Sequence, residues 1–378
     1  MKVLAMEPYY GGSHRSFIDD WISLSRHDWT LLNLPPHGWK WRMRQSAAGF
    51  AKEVQSLYSR GNRWDVIFAT DMVNLAEFCG LVPPEVAKLP RIIYFHENQF
   101  VYPTGYEARW DAHFSLSNMY SALAADEAWW NSAYNRDSFL ASLDEFLKKM
   151  RKPRLGWASE SIAAISGIEY PGVNLPDHES RRKPGPLRII WPARWEHDKS
   201  PEIFFEAVEK LAQAGRDFRL LVTGEDFRDR PAVFDKSRRS LDSFIEHWGF
   251  IPDREAFYDT LRQADIVVST SGQEFFGIAM VEAAAAGPMP LLPDKLVYPE
   301  IFGLSSDPGK REFFYNGSAV DLAGRLVELA DACRDGNPPA RNARRVANLD
   351  RFDRTRRSAE MDEHLRETVA ETSRRKRH

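Results

Sequence analysis

Two glutamates eight positions apart, Glu274 and Glu282, bracket the run Phe276-Gly277-Ile278. The run follows a strand-like stretch at residues 265–268 and opens an alanine-rich helical stretch at residues 278–286. Amides at such a helix start lack intrahelical partners and can face an anion, and Gly277 lets a diphosphate approach the backbone. Glu282, just over one turn further on, can accept from ribose hydroxyls, while Glu274 stays in the loop before the helix. Upstream, Arg194 and Lys199 follow another strand-like run at residues 187–193. A planar guanidinium and a compact ammonium both suit a diphosphate. Each feature alone is equally a solvated surface charge. Set together at strand ends, the four residues form a clamp for a nucleotide diphosphate.

The first half offers three more groups. Gly11-Gly12-Ser13 follows the first strand, where paired glycines can approach phosphates; a glycine turn capped by Ser13 would look the same. His96-Glu97-Asn98-Gln99 ends a strand-like run at residues 91–95, placing polar groups at a crevice. A histidine satisfied by a backbone carbonyl is the alternative there. Trp39, Lys40, Trp41, Arg42 and Arg44 interleave aromatic rings with cations. That pattern grips unstacked bases and their phosphates, or makes an ordinary packed loop leading into a helix. Cys79 and Cys333 are the only cysteines, and no Asp-x-Asp triplet occurs. A disulfide framework or a Cys-rich metal site is therefore ruled out.

These residues need elements to hold them, and the pattern supplies an α/β alternation. Strands are expected at residues 3–6, 29–34, 65–70, 91–95, 187–193, 218–223, 265–270 and 289–292. Helical periodicity marks a face through Ala47, Phe50, Val54, Leu57 and Tyr58, then residues 135–150, 201–214, 254–264, 278–286 and 353–372. Such alternation implies parallel sheets covered on both faces. A proline- and glycine-rich break at residues 170–186, containing Arg181-Arg182-Lys183, separates two halves. Domains are expected at residues 1–170 and 187–345, with a hinge at 171–186 and a terminal helix and basic tail at 346–378.

The 378 residues suit two domains, and 43% apolar with 28% charged residues is ordinary globular composition. A net charge of −3 provides no global attraction to polyanions, so an anionic partner needs a local patch. The last 38 residues carry twelve basic and seven acidic groups, ending in Arg374-Arg375-Lys376-Arg377. That run is solvated or contacts RNA. No apolar stretch approaches the length of a spanning helix, and the N-terminus has no signal-like apolar run. With two distant cysteines, a cytoplasmic setting is expected.

Arg194 and Lys199, followed by Glu274-x7-Glu282, resemble the retaining GT-B glycosyltransferases that include sucrose synthases and phosphatidylinositol mannosyltransferases. The resemblance implies two Rossmann-like domains facing across a cleft, with a C-terminal helix crossing back to the first. It implies that Glu274 contacts a donor sugar, that Glu282 binds the ribose, and that Arg194 and Lys199 neutralise the diphosphate. Phe276, Gly277 and Ile278, with Gly11, Gly12 and Ser13, join the donor set, and no divalent metal or cofactor is implied. Adding the Trp39–Arg44 and His96–Gln99 stretches, nearly the whole chain resembles the tRNA-queuosine α-mannosyltransferase family. That implies transfer of mannose from GDP-mannose to queuosine in a tRNA anticodon loop, with retention of configuration. His96 is then catalytic, and Trp39, Lys40, Trp41, Arg42, Arg44, His96, Glu97, Asn98 and Gln99 are the acceptor set. Gln273 stands where a histidine is more usual. The alternatives are a GT-B enzyme with a lipid or polysaccharide acceptor, and a non-catalytic tRNA-binding protein. The residues themselves leave the donor base, the sugar, the acceptor and the oligomeric state open.

Overall fold

The computed structural model describes residues 1–101, 111–150, 152, 154–177, 182, 184–225 and 230–375. Tyr102 and Pro103 after the His96 stretch, Arg181 and Lys183 of the linker, and Lys376 and Arg377 of the tail lie outside the described residues. The chain divides into two units, one of residues 1–172 with 354–378 and one of residues 173–353.

The first unit holds β1 (Lys2–Glu7), β2 (Asp28–Asn33), β3 (Val66–Thr70), β4 (Arg91–Phe95), β5 (Glu127–Trp130) and β6 (Ser166–Ile168). They form one parallel sheet in the order β2-β1-β3-β4-β5-β6. The second unit holds β7 (Leu187–Pro192), β8 (Phe218–Thr223), β9 (Ile245–Gly249), β10 (Ile266–Val268), β11 (Met289–Pro293) and β12 (Phe314–Tyr315). These are also parallel, in the order β12-β11-β10-β7-β8-β9. Central strands such as β3 and β7 are buried at every position, which is why they read as unbroken apolar runs. The sequence pattern leaves β5, β6, β9 and β12 unassigned; β6 and β12, with three and two residues, are too short to show a pattern of their own. β10 stops at Val268 rather than running on to 270. The Ser269 amide still donates to the Leu291 carbonyl of β11 (3.2 Å), while the Ser269 and Thr270 hydroxyls bond Tyr298 and the Lys199 carbonyl.

Each sheet changes winding direction once. From β1 the chain steps to β2 on one side and β3 on the other; from β7 it steps to β8 on one side and β10 on the other. The crevice outside the carboxyl ends of strands at such a point is where open α/β sheets take ligands. In the first unit it is bordered by the ends of β1, β3 and β4. In the second it is bordered by the ends of β7 and β10.

Residues Arg354–Arg375 form a helix that packs on the first unit, as the GT-B resemblance implies. Met361 and Leu365 are buried with Phe17, Ile18 and Trp21 of the helix Gly12–Leu24. The buried Asp362 carboxylate accepts from Trp21 Nε1 (2.9 Å), Ser25 Oγ (2.7 Å) and the Arg26 amide (2.7 Å). One carboxylate thus satisfies three donors more than 330 residues away. Removing it strands those donors, so Asp362→Ala is expected to destabilise the first unit by about 3 kcal/mol. The check is a urea unfolding curve, and an unchanged midpoint would contradict the latch.

Candidate active site

In the second unit the site grows from the end of β7. Gly224, after β8, has φ of 153°, and a Cβ there would lie 1.8 Å from the Ala193 carbonyl, so only glycine lets the two strand ends approach. Residues 194–200 then form a tight loop. Arg194 pairs with Glu196 at 3.0 Å and remains half exposed. Lys199 is largely buried, with Nζ 3.2 Å from Asp198 and 3.4 Å from Glu274. Burial alone would lower its pKa, but Glu274 and Asp198 outweigh it and hold the ammonium charged. The loop is tied to the β10 end by Thr270 Oγ1 donating to the Lys199 carbonyl (2.8 Å) and the Gly272 amide donating to the Asp198 carbonyl (2.8 Å). Lys199 and Glu274, 75 positions apart in sequence, are brought into one ion pair.

Gly277 precedes the helix Ile278–Ala286 with φ of 84°, a left-handed conformation, and no side chain caps that helix. Its missing Cβ leaves room for Tyr298, whose ring carbon would be 3.1 Å from one. The Phe276 ring is buried edge-on against Phe352, so this residue can offer a ligand only its backbone. Glu282 sits on the same helix and accepts from Arg254 at 2.7 Å and from Tyr258 at 3.4 Å. Gln273, buried beside Glu274, has a side-chain nitrogen with no hydrogen-bond partner. The arrangement can hold a polyanion at the helix start, with a carboxylate on either side of it.

In the first unit, Gly11 and Gly12 open the helix Gly12–Leu24. A Cβ at Gly11 would meet Pro36 at 2.4 Å, so this glycine is required by packing. Ser13 does not cap the helix: Gly11 holds the cap position, with no side-chain hydrogen bond, and Ser13 is exposed. His14 is buried, with Nδ1 3.2 Å from Glu7 Oε2 and its ring 4.0 Å from that of His96. The His96 amide donates to Asp71 Oδ1 at 3.0 Å. Asn131 Nδ2 donates to the His96 carbonyl at 2.7 Å. Glu7, His14 and Asp71 thus join His96 at this crevice, and sequence reasoning assigned none of the three. The fold alone brings them together, from the ends of β1 and β3.

Asn98, expected among the acceptor contacts, is spent on structure. Its Nδ2 donates to Asn135 Oδ1 (2.8 Å) and its Oδ1 accepts from the Phe100 and Val101 amides. Gln99 is likewise buried, its amide bonded to Asn118 and its side chain to Glu97. Trp39–Arg44 is not a loop but the first turns of the helix Trp39–Ser59. On a helix, positions two apart diverge, so the tryptophans do not form one platform. Trp39 packs toward Met43, Met72 and Phe114, while Trp41 is 61% exposed. Arg44 pairs with Asp111 at 2.8 Å and covers Phe114. Arg42 donates to the Pro35 carbonyl, and Lys40 lies over the Trp39 ring.

Among the described residues, Glu7, His14 and His96 hold ligand-type atoms within 4.8 Å of one another, a set that could bind a metal ion. Two imidazoles on one ion aim at it from different directions, whereas these rings lie face over face with a 32° tilt. A shared carboxylate beside a stacked pair describes them better.

Family models match along most of the chain. Residues 2–173 match the tRNA-queuosine alpha-mannosyltransferase N-terminal model, and residues 176–333 match glycosyl transferases group 1. Solved structures of the same fold include a sucrose-phosphate synthase from Thermosynechococcus elongatus, at TM-score 0.70 and 13% identity, covering 98% of this chain and 100% of that one. Another is HepE from Anabaena in complex with UDP, at TM-score 0.67 and 16% identity, covering 97% and 100%. The architecture is therefore that of the GT-B glycosyltransferases. A tRNA-queuosine alpha-mannosyltransferase from Drosophila melanogaster is 36% identical over 312 residues, 79% of this chain and 81% of the relative. A GDP-mannose-dependent phosphatidylinositol dimannoside mannosyltransferase from Mycobacterium tuberculosis is 30% identical, over only 35% of this chain and 37% of its own length. The chain belongs to the tRNA-queuosine alpha-mannosyltransferase family. No helix among the described residues is long and apolar enough to cross a membrane.

The His14 contact sets a pH dependence. Burial would lower its pKa, but Glu7, then Asp71 and Glu97, raise it to about 9. A histidine raised on folding stabilises fully below its unfolded value of ~6.5, and that contribution is lost as pH climbs through the folded value. The stability gap between wild type and His14→Phe is therefore expected to shrink by about 3 kcal/mol between pH ~6 and ~10. Denaturant titrations across that range check it. A constant gap would mean that His14 is neutral in the fold.

Proposed function

We propose that this chain transfers mannose from GDP-mannose to queuosine in a tRNA anticodon loop, with retention of configuration and without a divalent metal. The observation that carries the reading is the kinship with the fly enzyme across both units. The Lys199–Glu274 pair at the crevice of the second unit supports it chemically. Arg194, Lys199 and the helix start at Gly277 and Ile278 hold the diphosphate, and Gly11, Gly12 and Ser13 are assigned to donor binding as well. Glu282 takes the ribose once Arg254 shares or yields it, and Glu274 orients the sugar hydroxyls. His96 hydrogen-bonds the donor sugar. The bond from the anomeric carbon to the phosphate breaks as the bond to the acceptor oxygen forms on the same face. The departing phosphate oxygen takes the acceptor proton, and GDP leaves. Lys199 and Arg194 stabilise charge that grows on that oxygen, where one preorganised contact is worth ~2.7–4 kcal/mol.

On the acceptor side, Trp41 offers an exposed ring, with Lys40 and Arg42 beside it for phosphates. Glu97 and Gln99 are proposed near the acceptor, while Trp39 and Arg44 support the helix start through Phe114. The lipid or polysaccharide reading draws on relatives that match only about a third to a half of the chain, so the tRNA acceptor is preferred. A cytoplasmic setting follows from a tRNA substrate.

The direct test incubates the protein with candidate sugar nucleotides and queuosine-containing tRNA, with a chelator present, and reads nucleoside masses. A hexose mass on queuosine from GDP-mannose alone is expected; strict dependence on added Mg²⁺ or Mn²⁺ would overturn the metal-free mechanism. Lys199→Ala should lower kcat about 10²–10³-fold. Trp41→Ala should weaken tRNA binding by ~1–3 kcal/mol, and Arg42→Ala should flatten its salt dependence by about one phosphate. Neither should change affinity for the free sugar nucleotide. Unchanged tRNA binding in both variants would return this helix start to a packing role.

A further inference from the structure

The proposed chemistry uses His96 and leaves Glu7 and His14 unexplained, although both are buried against it. We propose that Glu7 and His14 are positioning residues that hold His96 neutral with its proton on Nε2, so that Nδ1 presents a lone pair to a sugar hydroxyl. This rests on His96 facing the donor sugar, as proposed above.

Glu7 is fully buried at the end of β1, and its carboxylate is fixed by the Tyr9 amide donating to Oε1 at 2.8 Å. The other oxygen, Oε2, lies 3.2 Å from His14 Nδ1 and 3.8 Å from His96 Nε2. The His96 ring cannot easily turn away. It is stacked on His14 at 4.0 Å and wedged edge-on by Tyr94 at 4.8 Å and Phe17 at 4.9 Å. Its Nε2 is buried without a hydrogen-bond partner, so a small tightening onto Glu7 is the bond this atom lacks.

Two imidazoles face to face at this distance cannot both carry a charge. Glu7 Oε2 is closer to His14, which takes the proton, in line with its pKa of about 9. His96 is driven well below the usual histidine value, first by burial and then by the His14 cation. The other ionisable groups around the pair are Asp71, which accepts from the His96 amide, and Glu97. Asp71 is itself pushed up by burial and by Glu97 and Glu7, against the pull of His14.

A neutral imidazole has one N–H, and its neighbours decide which nitrogen bears it. A lone pair on Nε2 facing a carboxylate oxygen would be repelled, whereas Nε2–H is attracted. Glu7 alone would also tend to protonate His96 fully. His14 prevents this by neutralising Glu7, which leaves tautomer selection without a second charge. A neutral His96 suits a sugar ring that gains positive charge as its phosphate departs.

The test uses full-length protein labelled with ¹⁵N-histidine and long-range proton–nitrogen spectra, with His96→Gln assigning the signals. In wild type, His96 should show a protonated Nε2 and a bare Nδ1 near neutral pH, while His14 is doubly protonated. Glu7→Gln turns an amide donor toward Nε2, so the proton should move to Nδ1. Its kcat should fall about 10²-fold or more, with the donor KM little changed. In His14→Phe the uncompensated Glu7 should raise the His96 pKa, moving the acidic limb of the kcat profile to higher pH. Should either variant fail to fold, the wild-type spectrum alone decides. A protonated Nδ1 or a charged His96 there overturns the proposal. Full activity in His96→Gln would instead overturn the role given to His96 itself.

Discussion

An ionised group taken out of water needs a partner close by, because the desolvation cost runs to several kcal/mol per ion. In both units of this chain such partners meet at the carboxyl edge of a parallel sheet. Glu7 at the end of β1 meets His14 from the next helix, and Lys199 after β7 meets Glu274 after β10. Other buried charges are paired too. His364 of the last helix lies between Glu127 and Glu169, and Arg357 reaches Glu169 as well. Asp265, fully buried, accepts from the Arg188 amide and from Arg182. Breaking one member leaves the other stranded, so these pairs fix the loops far more firmly than surface ion pairs would.

The two sheets reach this result by different windings. In the first, the order turns between β1 and β3; in the second, between β7 and β10. At each turn the loops diverge and leave a crevice that helix starts and strand ends surround. Glycine is needed where backbones crowd that edge. Gly11 makes room for Pro36, Gly224 for the Ala193 carbonyl, and Gly277 takes a left-handed turn beside Tyr298. Glycine at these three positions is thus demanded by the fold itself.

What the sequence shows follows from how local each signal is. β3, β4 and β7 are buried on both faces and read as apolar runs, so the alternation and the two sheets are legible. β6 and β12 have three and two residues, and their strand state depends on a neighbour's ladder rather than on any pattern of their own. Glu274, Gly277 and Glu282 lie in one loop and helix, with Gly277 at the helix start, so their placement is a local matter. Asp71 was not legible, because a single acid after a hydrophobic strand has no signature until β1 and β4 flank it. Asn98 misleads for the opposite reason. A run of polar residues at a strand end looks like a binding surface, yet burial turned its amide inward to Asn135 and Ser138. Trp39 and Trp41 look equivalent in sequence, and helical geometry packs one against Met43, Met72 and Phe114 and leaves the other in solvent.

The start of the Trp39–Ser59 helix breaks a local rule. A helix N-terminus favours negative charge, yet this one has no acidic residue in its first turn and carries Lys40, Arg42 and Arg44 instead. Each misplaced cation costs about 0.3–1 kcal/mol if nothing answers it. Arg44 is answered by Asp111, and Arg42 turns back to the Pro35 carbonyl, while Gly38 enters the helix in a left-handed conformation with no side-chain cap. An exposed tryptophan in the same turn adds apolar surface that folding does not bury. Sequences that depart from local stability rules do so at functional sites more than elsewhere. A polyanion with stackable rings would remove all three costs at once: it supplies negative charge to the helix start, phosphates to the cations and a base to Trp41.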